Sequence, residues 1–135
     1  MANSFFTQGL TDLQEGDIDL LVDTIKVALV AATYVFNAAH DFYDDISASV
    51  IGTPVALGTK TVSGGTFDAA DSTFTAVSGA QVGGIAVYKD TVVAATSPLI
   101  YFIDTGTGLP FTPNGGDVRV AWDAAIPGIW KLANS

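Results

Sequence analysis

One histidine and two groups of aspartates carry most of the reactive chemistry this chain could offer. His40 is followed directly by Asp41, and a carboxylate beside an imidazole can orient it as a general base. A base needs a nucleophile to serve, and neither a serine motif nor a second histidine accompanies the pair. A loop histidine is therefore the expected role. Asp41, Asp44 and Asp45 could offer the oxygen ligands that Ca²⁺ takes. They lack the glycine-containing spacing of an EF-hand, so a solvated acidic loop is expected instead. Asp17 and Asp19 are close in sequence, but the separation of paired glycosidase carboxylates is set by the fold. Gly106-Thr107-Gly108-Leu109-Pro110 has the glycines of a phosphate-cradling loop without its lysine or the helix that should follow. The expectation is a chain that is not an enzyme, with no catalytic residue, no required metal and no cofactor.

Aromatic rings could instead stack on sugars. Trp122 and Trp130 fall in strand-like segments, where core packing is expected. Tyr34, Tyr43 and Tyr88 are candidates for exposure, but no feature of the sequence marks them as a sugar site.

Composition narrows the partners. Only 14% of the 135 residues are charged, against 49% apolar, where about a quarter charged is usual. Thr, Ser, Asn and Gly must then supply much of the surface, which suits burial against neighbouring subunits. The net charge is −9, from 5 basic and 14 acidic residues. Nucleic-acid binding needs clustered cations, whereas Lys26, Lys60, Lys89, Arg119 and Lys131 are scattered singly. The acids crowd the first third, at Asp12, Glu15, Asp17, Asp19, Asp23, Asp41, Asp44 and Asp45. That third could dock on a basic surface or simply keep the protein in solution. There is no cysteine, hence no disulfide framework. Residues 1–6 lack a basic region before an apolar one, so no secretory signal is expected. The apolar region 20–39 is interrupted by Asp23, Lys26 and Asn37 and falls short of the roughly 20 apolar residues of a membrane span. A cytoplasmic origin is expected, with no membrane partner.

The elements that must position these residues read mainly as strands. Residues 4–15 are the one helix candidate, with Phe6, Leu10 and Leu13 at helical spacing, Ser4 as cap and Gly16 as stop. Then the period becomes two. In residues 24–30, Ile25, Val27 and Leu29 share a face. Residues 31–39 could extend that strand or form a short helix. Residues 46–51 alternate again, and residues 52–79 hold short strands at 55–57, 60–62 and 72–77 among many turn formers. Residues 84–88 and 99–103 are the clearest strands, the second apolar on both faces. Residues 117–123 point Val118, Val120 and Trp122 inward, and 129–132 close the chain. Roughly eight strands at such spacing predict an all-β sandwich, jelly-roll-like, with one short N-terminal helix, as a single domain over 1–135.

Residues 105–116 form a long hairpin connection, since Asn114-Gly115 is a strong turn signal. Its apolar members Leu109 and Phe111 are the candidate partner-binding residues. They could be buried against another subunit or pack back on their own sandwich.

Several strings occur together in order: Gly16-Asp17-Ile18-Asp19, residues 23–30, residues 72–79, Val87-Tyr88-Lys89-Asp90, Ser97-Pro98-Leu99-Ile100, residues 104–110 and Asn114-Gly115-Gly116-Asp117. In that order the chain resembles small structural proteins of tailed bacteriophages over most of its length, departing from them in the Ala-rich stretch 31–39. The resemblance implies a capsid decoration or cement protein on the outer surface of the virion. Its partner would be the major capsid protein, and it would self-associate as a dimer or trimer. The alternative it implies is a tail- or fibre-associated module that binds carbohydrate or a receptor. It brings no catalytic residues.

Overall fold

Most of the period-two segments become strands, and the longest of them build a sheet covered on both sides. A computed structural model describes residues 4–104, 109–122 and 130–131. In chain order these form β1 (Ser4–Phe5), α1 (Thr7–Glu15), β2 (Ile25–Ala31), β3 (Val50–Ala56), β4 (Thr61–Ser63), β5 (Thr66–Asp68), β6 (Ser72–Phe74), β7 (Val82–Lys89), β8 (Leu99–Ile103), β9 (Val118–Val120) and β10 (Trp130–Lys131). The main sheet is antiparallel, in the order β1-β8-β7-β2-β3. Two small sheets, β10-β5-β4 and β6-β9, make the second layer. The architecture is all-β and sandwich-like with one short helix, as expected from the sequence.

The centre is the pair β2 and β7, in register from Ile25 opposite Lys89 to Val30 opposite Gly84, with a shift before Ala31 opposite Val82. Alternation sends Ile25, Val27, Leu29, Ile85 and Val87 to one face. There they meet Phe67, Phe74 and Trp122 of the small-sheet layer. Ala28, Val30, Ala86 and Tyr88 go to the other face with Leu99 and Phe102. That face is covered by Phe6, Tyr34, Phe36, Tyr43 and Ile46. An antiparallel sheet commonly leaves one face wet. Here both are dry, which is why β2 is apolar on both faces from Val27 to Ala31 and β7 from Ile85 to Val87. Each fully buried Val, Leu or Ile contributes about 1.5–3 kcal/mol.

The small-sheet layer is pinned by polar contacts. Asp71 pairs with Arg119 and accepts a hydrogen bond from the Trp122 amide (3.3 Å). The Trp122 indole donates to Ser72 Oγ (3.2 Å). Val118 and Val120 pack on the core and Trp122 is buried, as the alternation predicts.

Several details differ from the sequence reading. The strands on either side of residues 105–116 do not form a hairpin, since β8 lies in the main sheet and β9 pairs with β6 in a small one. Ser4 lies in β1 opposite Phe102 instead of capping the helix. The helix starts at Thr7, with Phe6 at the cap position and buried. Of residues 31–39 only Ala31 extends the strand, and none forms a helix: β2 ends there and the chain runs on through turns. Residues 46–49 are not strand either, because tight 3-10 turns at Tyr43–Asp45 and Ser47–Ser49 bring the chain over the sheet before β3 begins. β5 lies in the stretch read as turns. Gly16 does end the helix, in the left-handed conformation (φ 85°). Thr105–Gly108, Asp123, Ile129, Leu132 and the side chains of Trp130 and Lys131, all given roles above, lie outside the described residues. Among the described residues no helix is long and apolar enough to cross a membrane.

Candidate functional site

The residues singled out for chemistry are drawn into separate structural tasks. His40 Nδ1 is hydrogen-bonded to the Tyr34 hydroxyl at 2.7 Å, so its partner is a phenol and not Asp41. Asp45 Oδ2 accepts from the amides of Asp41 (3.0 Å) and Phe42 (3.4 Å) and thereby caps the tight turn at 43–45. The Asp41 amide holds the Asp45 carboxyl below the usual range, while a hydrogen bond with Asp45 raises the Asp41 carboxyl. One acid of the Asp41–Asp44–Asp45 group is therefore spent on local structure. Asp19 Oδ1 accepts from the amides of Leu21 (3.0 Å) and Val22 (3.2 Å), again a turn cap. Three further carboxylates converge, those of Asp12, Glu15 and Asp17, whose oxygens lie within 4.8 Å of one another.

The aromatic side chains pack mainly on each other. Phe36 stacks on Phe102 (5.6 Å), Tyr34 tilts against Phe102 (5.4 Å), and Tyr43 lies 4.5 Å from Tyr88. Burial raises the phenols of Tyr34, Tyr43, Tyr88 and Tyr101 above their ordinary value. A hollow of about 250 Å³ at Tyr34, Phe36, Phe102, Gly83 and Asp104 opens beside them.

Leu109 and Phe111 are half-buried and pack against the molecule's own core. Phe111 also exchanges two backbone hydrogen bonds with Val82 (2.8 and 3.0 Å). This places them at the end of the sheet where β7 begins.

The opposite end of the sheet has a different surface. Here β2 starts, β7 finishes, and the Asp90 amide donates to the Thr24 carbonyl (2.9 Å). The loops 17–23 and 90–97 both leave from this point. Six large apolar side chains stand exposed among the described residues: Leu21, Val22, Val35, Val62, Val92 and Val93. Leu21 and Val22 belong to the first loop, Val92 and Val93 to the second, and Val62 lines a groove with Leu21. Only Val35 is elsewhere. Val22 is 78% exposed and Val92 is 91% exposed, so neither contributes to this chain's own core.

These loops are braced by charge. Lys26 pairs with Asp90 (2.9 Å) and Lys89 with Asp23 (3.2 Å). Lys89 Nζ also donates to the Asp17 carbonyl (3.0 Å), and Lys60 Nζ donates to the Asp23 carbonyl. Asp23 is held below the usual carboxylate range, first by the Asp19 amide and then by Lys89. Lys26 does the same for Asp90. Three of the four basic side chains among the described residues are thus used to fix this end, and the fourth, Arg119, holds Asp71. Sequence reasoning missed this surface. Its only signals were the adjacent pairs Leu21-Val22 and Val92-Val93 beside acidic turn residues.

Compared with known proteins, the chain matches no family model and no curated relative.

Proposed function

We propose that this protein is a bacteriophage capsid decoration protein that binds the outside of the shell end-on, through the 17–23 and 90–97 loops. The observation that carries the reading is the concentration of exposed Leu and Val on loops held by ion pairs and hydrogen bonds. Apolar side chains held in water add nothing to this fold, but their burial against a partner yields about 25 cal/mol per Å². Pre-ordered loops also lower the ordering cost of association. A protein that binds only the assembled shell stabilises it by its binding free energy, and copies on symmetry axes would add self-association. The partner is then the major capsid protein, and the reading includes neither an enzymatic step nor direct nucleic-acid contact. The tail-associated sugar binder is less well supported, because Phe36 stacks on Phe102 and the Tyr34 hydroxyl is engaged by His40. Leu109 and Phe111 become secondary candidates, since the core already covers part of each.

The test is decoration of purified shells that lack this protein. The double change Leu21→Ser and Val92→Ser should weaken decoration by at least about tenfold while the melting curve of the free protein stays close to wild type. Normal decoration by that variant, together with loss of decoration by Leu109→Ser and Phe111→Ser, would transfer the docking site to the other end. Failure of the wild type to decorate shells at all would end the capsid reading.

A further inference from the structure

A groove of about 510 Å³ runs along the same end, between the last turn of α1, the segment 16–21 and Val62 of β4. Leu13, Ile18, Leu20, Leu21 and Val62 give it an apolar floor. The chain that forms it supplies an acidic rim: Asp19 lines the groove, and Asp12, Glu15 and Asp17, neighbours in sequence of the lining residues Leu13, Gly16 and Ile18, hold three carboxylates within 4.8 Å of each other. Among the described residues no Lys or Arg is ion-paired with any of the four. The neighbouring Lys60 and Lys89 are turned toward Asp23 and backbone carbonyls. Like charges this close repel, and a cation from outside would relieve them. Val62 brings β4 to the groove, and among the described residues β4 is the edge strand of its sheet, with Thr61, Val62 and Ser63 all exposed. An edge strand is a template for an added extended segment.

We infer that this groove takes an extended, basic segment of the protein's partner, which seats an apolar side chain on the floor and sets Lys or Arg against the acidic rim. The inference rests on the docking reading above and specifies the chemistry of the partner. A second copy of this chain is a poor occupant, because it would bring the same acidic rim to a surface that is already acidic.

The experiment uses the full chain labelled with ¹⁵N and three short synthetic peptides: alternating Lys and Leu, alternating Glu and Leu, and alternating Lys and Ser. The Lys/Leu peptide should shift the backbone amides of α1's last turn, residues 16–22 and 61–63. The other two peptides should bind at least about tenfold more weakly. The variant Asp12→Asn, Glu15→Gln, Asp17→Asn should lose about tenfold in affinity for the Lys/Leu peptide and most of its salt dependence. Equal binding of the Glu/Leu peptide, shifts elsewhere on the surface, or no shift at all would overturn the inference. So would movement of the same amides on dilution without peptide, which would make a second copy the occupant. Shells play no part in this measurement. A wild type that decorates shells but ignores the Lys/Leu peptide therefore defeats only this inference. One that binds the peptide in the groove but not shells defeats only the capsid reading.

Discussion

Val92 combines two unfavourable conditions. Its φ is 77°, a region that costs an L-residue about 1–2 kcal/mol and that β-branched side chains rarely visit. Its side chain is also almost wholly in water, so burial returns nothing. The conformation is held from outside: Asp90 Oδ1 accepts from the Val92 amide (3.0 Å), and Ser97 Oγ both accepts from the Thr91 amide (3.0 Å) and donates to the Val93 carbonyl (2.8 Å). Strained backbone that persists only because its surroundings fix it is a pointer to function. Val92→Gly should relieve the strain, offset in part by the greater freedom of glycine in the unfolded chain. A stability gain of about 0.5–1 kcal/mol is expected in denaturant titration, with decoration of shells weakened in the same variant. A variant that is less stable and decorates normally would show that Val92 serves only its loop.

At the scale of elements, the brace at the β2 and β7 end makes a pH prediction. Asp23 and Asp90 have folded-state values below their unfolded ones. A depressed carboxyl stabilises the fold above the unfolded value, about 3.9 for Asp. That contribution is lost as pH falls through the lower folded value. Asp41 is raised and works in the opposite sense, against the ionised form near neutrality. Both braced loops depend on the first pair, so they should open before the sheet does. Below about pH 4, hydrogen exchange at Leu21, Val22 and Val92 should accelerate while the amides of β2 and β7 stay protected. Simultaneous loss of protection in loops and sheet would refute a separable brace. Much of this architecture was legible in the chain. β2 follows from its period-two set Ile25, Val27 and Leu29, β7 and β8 from the mainly apolar segments 84–88 and 99–103, and the inward set Val118, Val120 and Trp122 from alternation. The tight turns at 43–49 were not legible, because Ile46, Ala48 and Val50 happen to alternate as a strand would. Gly9 weakens the helix by propensity, yet a Cβ there would lie 2.0 Å from the Leu99 carbonyl oxygen. The residue that argued against α1 is the one that lets it lie on β8. The apolar end was hidden for another reason. Exposed and buried valines look alike in a sequence, and the lysines that brace the loops reach acids and carbonyls far along the chain, as from Lys89 to Asp17.

At the scale of the whole molecule, the covered sheet fixes a direction. With both faces of the main sheet packed, the sheet itself offers only its ends and edges for contact. The two ends are unlike. One carries the exposed apolar loops, and the other carries Val35, 80% exposed beside the hollow where β2 ends and β7 begins. On the proposed docking, the molecule would stand as a post with the loop end as its foot and the Val35 end as its head. Since the chain has no cysteine, a thiol introduced by Val35→Cys or by Val92→Cys would be unique and could carry a bulky tag. Tagging through Val35→Cys should leave shell decoration intact and place the tag at the largest radius in electron micrographs. Tagging through Val92→Cys should block decoration. If the outcomes are reversed, the post stands the other way up. If the orientation holds, every decorated shell would present the segment around Val35 outward in a repeating array, and cargo joined there would be displayed at the spacing of the lattice.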